Sequence, residues 1–171
     1  ECITEKGFVA NGVEHEVDCI IFASGFEVSS ELERRWGIDA VEGRGGRSIY
    51  DHWREGPRTL HGTMTHGFPN QFYIGYIQGG LNSSVTEQFG QQGYHASYVI
   101  SEALKRGIKA VEPSLEAQEN YVRHYEEVEF DTTAFQRECT PSYFTNEGQV
   151  KAPWALFRSY GPGWAAFQKL V

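Results

Sequence analysis

Between residues 2 and 17, short apolar stretches at Ile3, Phe8-Val9 and Val13 are separated by polar residues and broken at Lys6-Gly7 and Asn11-Gly12. Alternation over so few residues predicts strands at 2–4, 7–9 and 13–17. An Asn-Gly pair between such stretches signals a hairpin, because both residues accept positive φ, so a small β-meander is expected. The pattern then changes. Cys19-Ile20-Ile21-Phe22-Ala23 is continuously apolar, which suits a strand buried on both faces as in a parallel sheet. It breaks at Ser24-Gly25, after which Ser29 or Ser30 is placed to cap a short helix ending near Trp36-Gly37. QFYIGYI (71–77) reads as a second buried strand, closed by Gly79-Gly80.

Residues 37–70 show no period and predict a long ordered loop with one helical turn near 51–53. From residue 84 the period becomes helical. Val85, Phe89, Ala96, Ile100 and Ala103 keep helix spacing, Ser84-Val-Thr-Glu87 has the form of a capping box, and Gly107 stands where a C′ residue belongs. The expected helix covers 84–106. Ser114 predicts a second helix with Leu115, Val122, Tyr125 and Val128 on one stripe, and Pro162 opens a final amphipathic helix, at a position Pro tolerates. Residues 138–163, with Pro141 and Pro153, are expected to be irregular. Strands mixed with helices in this order define an α/β chain.

Charge excludes several functions. Fifteen Lys and Arg against 23 Asp and Glu give a net charge of −8. No nucleic-acid partner is expected, because phosphate neutralisation needs a basic face. A polybasic membrane anchor is excluded on the same ground, and no apolar run approaches the ~20 residues of a membrane helix. Cys2, Cys19 and Cys139 are odd in number and lack metal spacing, which points to a reducing compartment and hence the cytoplasm. The six histidines form no zinc pattern, so no metal is expected. Met64 is the single methionine, and the chain runs from Glu1 to Val171 inside an amphipathic stretch. A piece of a longer protein is the expectation.

Two places could carry chemistry. Ala23-Ser24-Gly25-Phe26 ends an expected strand, where open α/β sheets bind ligands and a glycine admits a cofactor's close approach; an ordinary strand-to-helix turn is the alternative. At the second place, Gly79-Gly80, a polar loop and a capped helix start form an anion site, since free N–H groups and the helix dipole favour negative charge. Gly90 and Gly93 within that helix each cost ~1 kcal/mol relative to Ala, to be offset by close approach of a flat cofactor or by helix packing. Gly43-Arg-Gly-Gly46 is either a backbone nest or a surface turn.

Five segments, in order, resemble the C-terminal part of the Baeyer–Villiger (class B) flavin monooxygenases. VDCIIFASGF (17–26) is similar to the family's D-x-I-x-A-T-G-[FY] stretch, behind the hairpin GFVANGVEHE. GRGGRSIYDHWREGPRTLHGTMTHGFPNQFYIG (43–75) is similar to its G-R-G-G…W-x-x-G-P…G-F-P-N-x-F region. IQGGLNSSVTEQFGQQ (77–92) sits where the family has the loop and helix beside the flavin. CTPSYFTNEGQ (139–149) and SYGPGWAAF (159–167) resemble its late loop and closing Tyr-Gly-x-Gly segment.

The resemblance implies a fragment of a Rossmann-like flavoprotein with two dinucleotide-binding domains. Residues 1–26 would end the NADP/FAD-domain sheet, with its hairpin and an Ala-Ser-Gly linker, and 27–171 would form the C-terminal part of the FAD domain. It further implies FAD and NADPH as cofactors, and a C4a-peroxyflavin that inserts oxygen beside the carbonyl of a small-molecule ketone, with dioxygen as co-substrate. The remaining N-terminal part of the same polypeptide would complete the site. Ser24 and Gly25 would lie at the FAD–NADP domain junction. Ser84, Val85 and Thr86 would contact the flavin pyrimidine edge, and Leu81, Asn82 and Ser83 would line the substrate side. Tyr143 takes the place of a Trp on a loop over the nicotinamide; the alternative is a Tyr packed on the second helix. Ser24 replaces the usual Thr and keeps its hydroxyl. Asn82, and the lack of a Pro in Gln78-Gly79-Gly80, imply a pocket for a different ketone. No residue in the chain is assigned a catalytic role, because the family's fingerprint and catalytic Arg fall outside it. The alternatives are an N- or S-oxygenating flavin monooxygenase and a non-catalytic association domain.

Overall fold

The computed structural model describes residues 2–23, 25, 32–138, 141–142, 145, 148 and 158–171. Its first element is the hairpin that Asn-Gly predicts. β1 (Gly7–Ala10) and β2 (Val13–Glu16) pair antiparallel with Ala10 opposite Val13, and Asn11 and Gly12 have φ of 51° and 74°. Positive φ at both central residues gives the turn whose twist matches the strands. The third strand of the expected meander reduces to a single bridge, Ile3 to Phe8.

The apolar run after the hairpin is not a strand. Residues 17–23 are irregular, and Ile21 and Phe22 are 84% and 76% exposed. A strand persists only where its backbone groups meet a neighbouring ladder, and among the described residues no strand lies beside this run. Ser24, Ser29 and Ser30 lie outside the described residues. The short helix predicted beyond them is present as α1 (Leu32–Trp36), which closes on Gly37 at φ 60°.

The long loop contains α2 (Ile49–His52), started by Ser48, whose Oγ accepts from the Tyr50 N–H at 3.2 Å. The second expected strand, 71–77, is also irregular. Its backbone finds partners elsewhere: the Tyr73 N–H donates to Thr63 O at 2.8 Å, and Gly75 is paired by a glutamine side chain. These contacts replace the ladder, so among the described residues no strand forms along 71–77.

The helical part of the chain follows expectation. α3 (Val85–Lys105) ends in a Schellman motif: Gly107, at φ 65°, donates to Leu104 O at 3.1 Å and Ile108 to Ala103 O at 2.8 Å. α4 (Leu115–Val128) is capped by Ser114 Oγ, which accepts from the Ala117 N–H at 3.1 Å. Its buried stripe keeps Val122 and Tyr125 of the expected one, with Val128 packed against it. Gln118, Tyr121, Val122 and Tyr125 face inward, whereas Leu115 is 54% exposed. β3 (Glu129–Asp131) follows at once, then α5 (Thr133–Glu138); β4 (Arg158–Tyr160) returns antiparallel to β3, and α6 (Trp164–Leu170) closes the chain.

Two cores hold these pieces. Leu32, Ile49, Trp53, Phe68 and Tyr73 form the first, with Trp36 stacked on Tyr73 at 6.0 Å. Tyr121, Tyr125, Tyr160 and Phe167 join α4, β4 and α6 in the second. Full burial of each large apolar side chain contributes roughly 1.5–3 kcal/mol.

Candidate functional site at the entry to the long helix

Polar staples fix the loop that leads to α3. Gln118, on α4, is 1% exposed; its Oε1 accepts from the His66 N–H at 2.7 Å and from Thr65 Oγ1 at 3.1 Å. Gln78 Oε1 accepts from the Thr59 N–H and hydroxyl, both at 2.8 Å, while the Tyr121 hydroxyl donates to Gln78 O. Arg58 grips Glu119 with both Nε and Nη2; that contact raises the Arg58 pKa and lowers that of Glu119. Burial pushes the Glu112 carboxyl up, but Arg44 and the Gly67 N–H together hold it below the usual carboxylate range. Each buried amide is paired, as a buried polar group must be if it is not to cost stability.

The loop then runs close under the second core. A Cβ on Gly80 would lie 2.8 Å from the Phe167 ring, and the Tyr160 N–H donates to Gly79 O at 3.2 Å. Leu81 to Thr86 follow directly, at the start of α3. Leu81 and Val85 are 40% and 39% exposed, Asn82 is half-buried, and Ser83, Ser84 and Thr86 are exposed. Six of the sequence-predicted site residues therefore stand on one continuous surface. Gly25 takes φ 80°, a conformation that favours glycine. Ser24 and Tyr143 lie outside the described residues.

The capping box does not form. Ser84 is the N-cap, but its hydroxyl meets Thr86 Oγ1 at 3.3 Å and accepts from no first-turn N–H. Asn82 Oδ1 turns the chain by accepting from the Ser84 N–H at 2.9 Å, and the Asn82 N–H donates to Gln88 Oε1 at 3.1 Å. With the Ser84 oxygen engaged sideways, the N–H groups of Val85 and Thr86 point along the helix axis without a cap from it. A dipole end of this kind suits a negatively polarised acceptor.

Other candidates resolve differently. Gly43–Gly46 is a turn with three of its amides already used: Gly43 N–H donates to Arg47 O, Arg44 N–H to Gly67 O and Gly46 N–H to Gly43 O. A Cβ on Gly90 or Gly93 would meet nothing within 4 Å, so no backbone of the described residues approaches them. The histidines are more integrated than loop residues need be. His61 packs edge-on against Tyr121 at 4.9 Å, and with His95, 6.3 Å away, it lines a cleft of about 370 Å³ beside Tyr94, Trp164 and Phe167. Burial, helped by His95, pushes the His61 pKa down to about 4. Among the described residues no cluster of three or more metal-ligating side chains occurs, and no helix is long and apolar enough to cross a membrane. Cys2 and Cys19 are free and exposed. The residues that sequence reasoning missed are Gln88 and Gln92, buried on the inner face of α3. Their i,i+4 spacing beside Ala103 was the available signal.

No family model matches the chain. It is 38% identical over 172 residues to the Baeyer–Villiger monooxygenase peniC of Penicillium patulum, and 34% identical over 169 residues to the FAD-binding monooxygenase hmp7 of Hypomyces subiculosus. These matches cover 96% and 99% of the chain and 28% of each relative. In structure, it matches the polycyclic ketone monooxygenase of Thermothelomyces thermophila with a TM-score of 0.73 at 26% identity, covering 99% of this chain and 28% of that one. Cyclohexanone monooxygenase from Rhodococcus sp. Phi1, solved with NADP+, gives a TM-score of 0.65 at 26% identity over 93% of this chain and 28% of that one. The chain is thus homologous to a segment of flavoprotein monooxygenases. Within that class its homologues are Baeyer–Villiger monooxygenases, of whose length it spans about 28%.

Proposed function

We propose that the chain is the C-terminal portion of a flavin-dependent monooxygenase that inserts oxygen next to a ketone carbonyl, using NADPH and dioxygen. The observation that carries this reading is the near-complete match, in sequence and in fold, to ketone monooxygenases. The exposed apolar run at Ile21-Phe22 fits a polypeptide whose remaining N-terminal part packs there and supplies the rest of the site, including the strands that 17–23 lacks.

The start of α3 fits a flavin edge. Its uncapped N–H groups at Val85 and Thr86 would meet the pyrimidine oxygens, and the positive helix end would favour the negative charge that reduction places there. When bound, FAD supplies the redox chemistry and the oxygen activation. The residues of this chain hold and orient. Ser84 and Thr86, paired through their hydroxyls, set the first helical turn, and Leu81, Asn82 and Ser83 shape the adjoining substrate wall. Ser24 and Gly25 would form the turn where the FAD and NADP domains join, and Tyr143 would cover the nicotinamide as part of a lid that excludes water.

The test compares the 171-residue chain with the complete polypeptide. The chain alone should purify colourless, because cofactor sites bury most of their ligand and this half offers only edge contacts. The complete polypeptide should carry a flavin spectrum, consume NADPH and turn cyclic ketones into lactones. A complete polypeptide that oxygenates amines or sulfides but no ketone would overturn the assignment, as would one that binds no flavin.

A further inference from the structure

On the inner face of α3, Gln88 and Gln92 are 1% and 5% exposed. Such helix positions are ordinarily apolar, because a buried amide is tolerated only when hydrogen-bonded. Both are bonded, and to the same loop. Gln92 Oε1 accepts from the Gly75 N–H at 2.9 Å, and Gln92 Nε2 donates to Gly75 O at 2.9 Å. One side chain thereby satisfies both backbone groups of one residue, as a neighbouring strand would. One turn earlier on α3, Gln88 Oε1 takes the Asn82 N–H at 3.1 Å. The helix therefore grips its own preceding loop at both ends, Gly75 and Asn82, and the second grip lies inside the Leu81–Thr86 surface.

We infer that Gln92 and Gln88 are positioning residues of the monooxygenase, setting where the Leu81–Thr86 segment stands against cofactor and substrate. The inference rests on the function proposed above. It assigns to two side chains that touch neither ligand the registration of the loop that does. Loss of the Gly75 clasp would leave the segment attached but displaced, and oxygenation is sensitive to displacement of about 1 Å.

The test is made in the complete polypeptide with Gln92→Glu, read against pH. Ionised, the new carboxylate still accepts from the Gly75 N–H, but its second oxygen faces Gly75 O and repels it. Protonated, it donates to that carbonyl and restores both bonds. The quantity measured is hydrogen peroxide released per NADPH consumed, alongside bound FAD per chain. At pH 8 the variant should leak roughly 3-fold or more peroxide relative to wild type, a modest effect for a lost hydrogen bond to a charged or polar partner. The leak should return toward the wild-type value on acidification to about pH 6, with FAD content unchanged throughout. Since an ionised buried carboxylate also lowers stability, far-ultraviolet circular dichroism and FAD content must be equal at the two pH values for the leak to report position rather than unfolding. Gln88→Met, which removes the second grip without adding charge, should raise peroxide release at all pH values. A wild-type protein without FAD or NADPH consumption would overturn the proposed function. An active wild type whose variants keep its peroxide ratio at every pH, losing only thermal stability, would overturn the positioning role.

Discussion

Gly62 is where the 59–65 turn passes closest to the loop before α3, and its replacement by alanine has a cost that can be worked out in parts. Its φ is 70°, and a Cβ there would lie 2.1 Å from Ile77 O. Gly107 provides the control: its φ is 65°, but a Cβ would meet nothing within 4 Å. Both substitutions carry the left-handed backbone cost of roughly 1–2 kcal/mol. Only Gly62→Ala must also move a backbone carbonyl by about 1 Å to reach ordinary contact, an overpacking cost of about 1–3 kcal/mol. The neighbouring Gln78 O is held by the Tyr121 hydroxyl, so that carbonyl cannot yield freely. Gly107→Ala should therefore destabilise by about 1–2 kcal/mol and Gly62→Ala by about 2–5 kcal/mol, the excess being the overpacking cost. For a chain of this size that separates the two midpoints by several degrees, at ~2–4 °C per kcal/mol. Urea unfolding followed by far-ultraviolet circular dichroism measures both, with equal m-values required. Equal losses in the two variants would show that the Ile77 approach constrains nothing and would refute the reasoning.

Gln118→Leu should cost about 1–3 kcal/mol: it strands the His66 N–H, while the Thr65 hydroxyl keeps Arg58 O, and a loss under 0.5 kcal/mol in the same unfolding assay would contradict this. Stability should fall as pH drops from about 6.5 to about 4, because His61 is held neutral in the fold but takes a proton when unfolded. The His61 contribution is at most about 3.4 kcal/mol, and His61→Phe should reduce the pH slope in that window, the rest coming from His95 and His52, whose pKa values burial also lowers, while leaving the acid loss from Glu119 and Glu112 below it. Gly80→Ala, aimed at Phe167 Cβ, Cγ and Cδ1, should lower the thermal midpoint and cost less in a Phe167→Ala background, which removes Cγ and Cδ1; additive losses in the double variant would argue against the contact.

Hairpin, helices and helix ends were legible because their signals are local. Asn11-Gly12 fixes a turn by its own φ preferences, and Ser114 and Gly107 close helix ends through atoms within a few residues. The two expected strands failed because a strand is a relation between distant segments. The run at 19–23 has the composition for a sheet but no neighbouring strand among the described residues, and 71–77 has its neighbours replaced by Thr63 and Gln92. The glutamines on the inner face of α3 were missed for a related reason. Buried glutamines look like surface in a hydrophobicity pattern, and only the carbonyls they meet reveal their side of the helix. The Leu81–Thr86 surface was found through its resemblance to a family, and the hydrogen bonds that shape it, Asn82 to Gln88 above all, were not.

Holding the loop by amide clasps has an evolutionary consequence. In a β-ladder, a one-residue slip turns every side chain to the opposite face, so insertions and size changes near a site built on a sheet are seldom tolerated. Between Gly75 and Asn82 this chain is instead held at points, by Gln92, Tyr121, Tyr160 and Gln88, with Ile77 and Gly80 packed against the cores. The exposed positions beside the outer anchors, Ile74 and Leu81, can change bulk or polarity without reversing the orientation of their neighbours. A loop held this way can vary at those exposed positions through single substitutions while its anchors stay fixed.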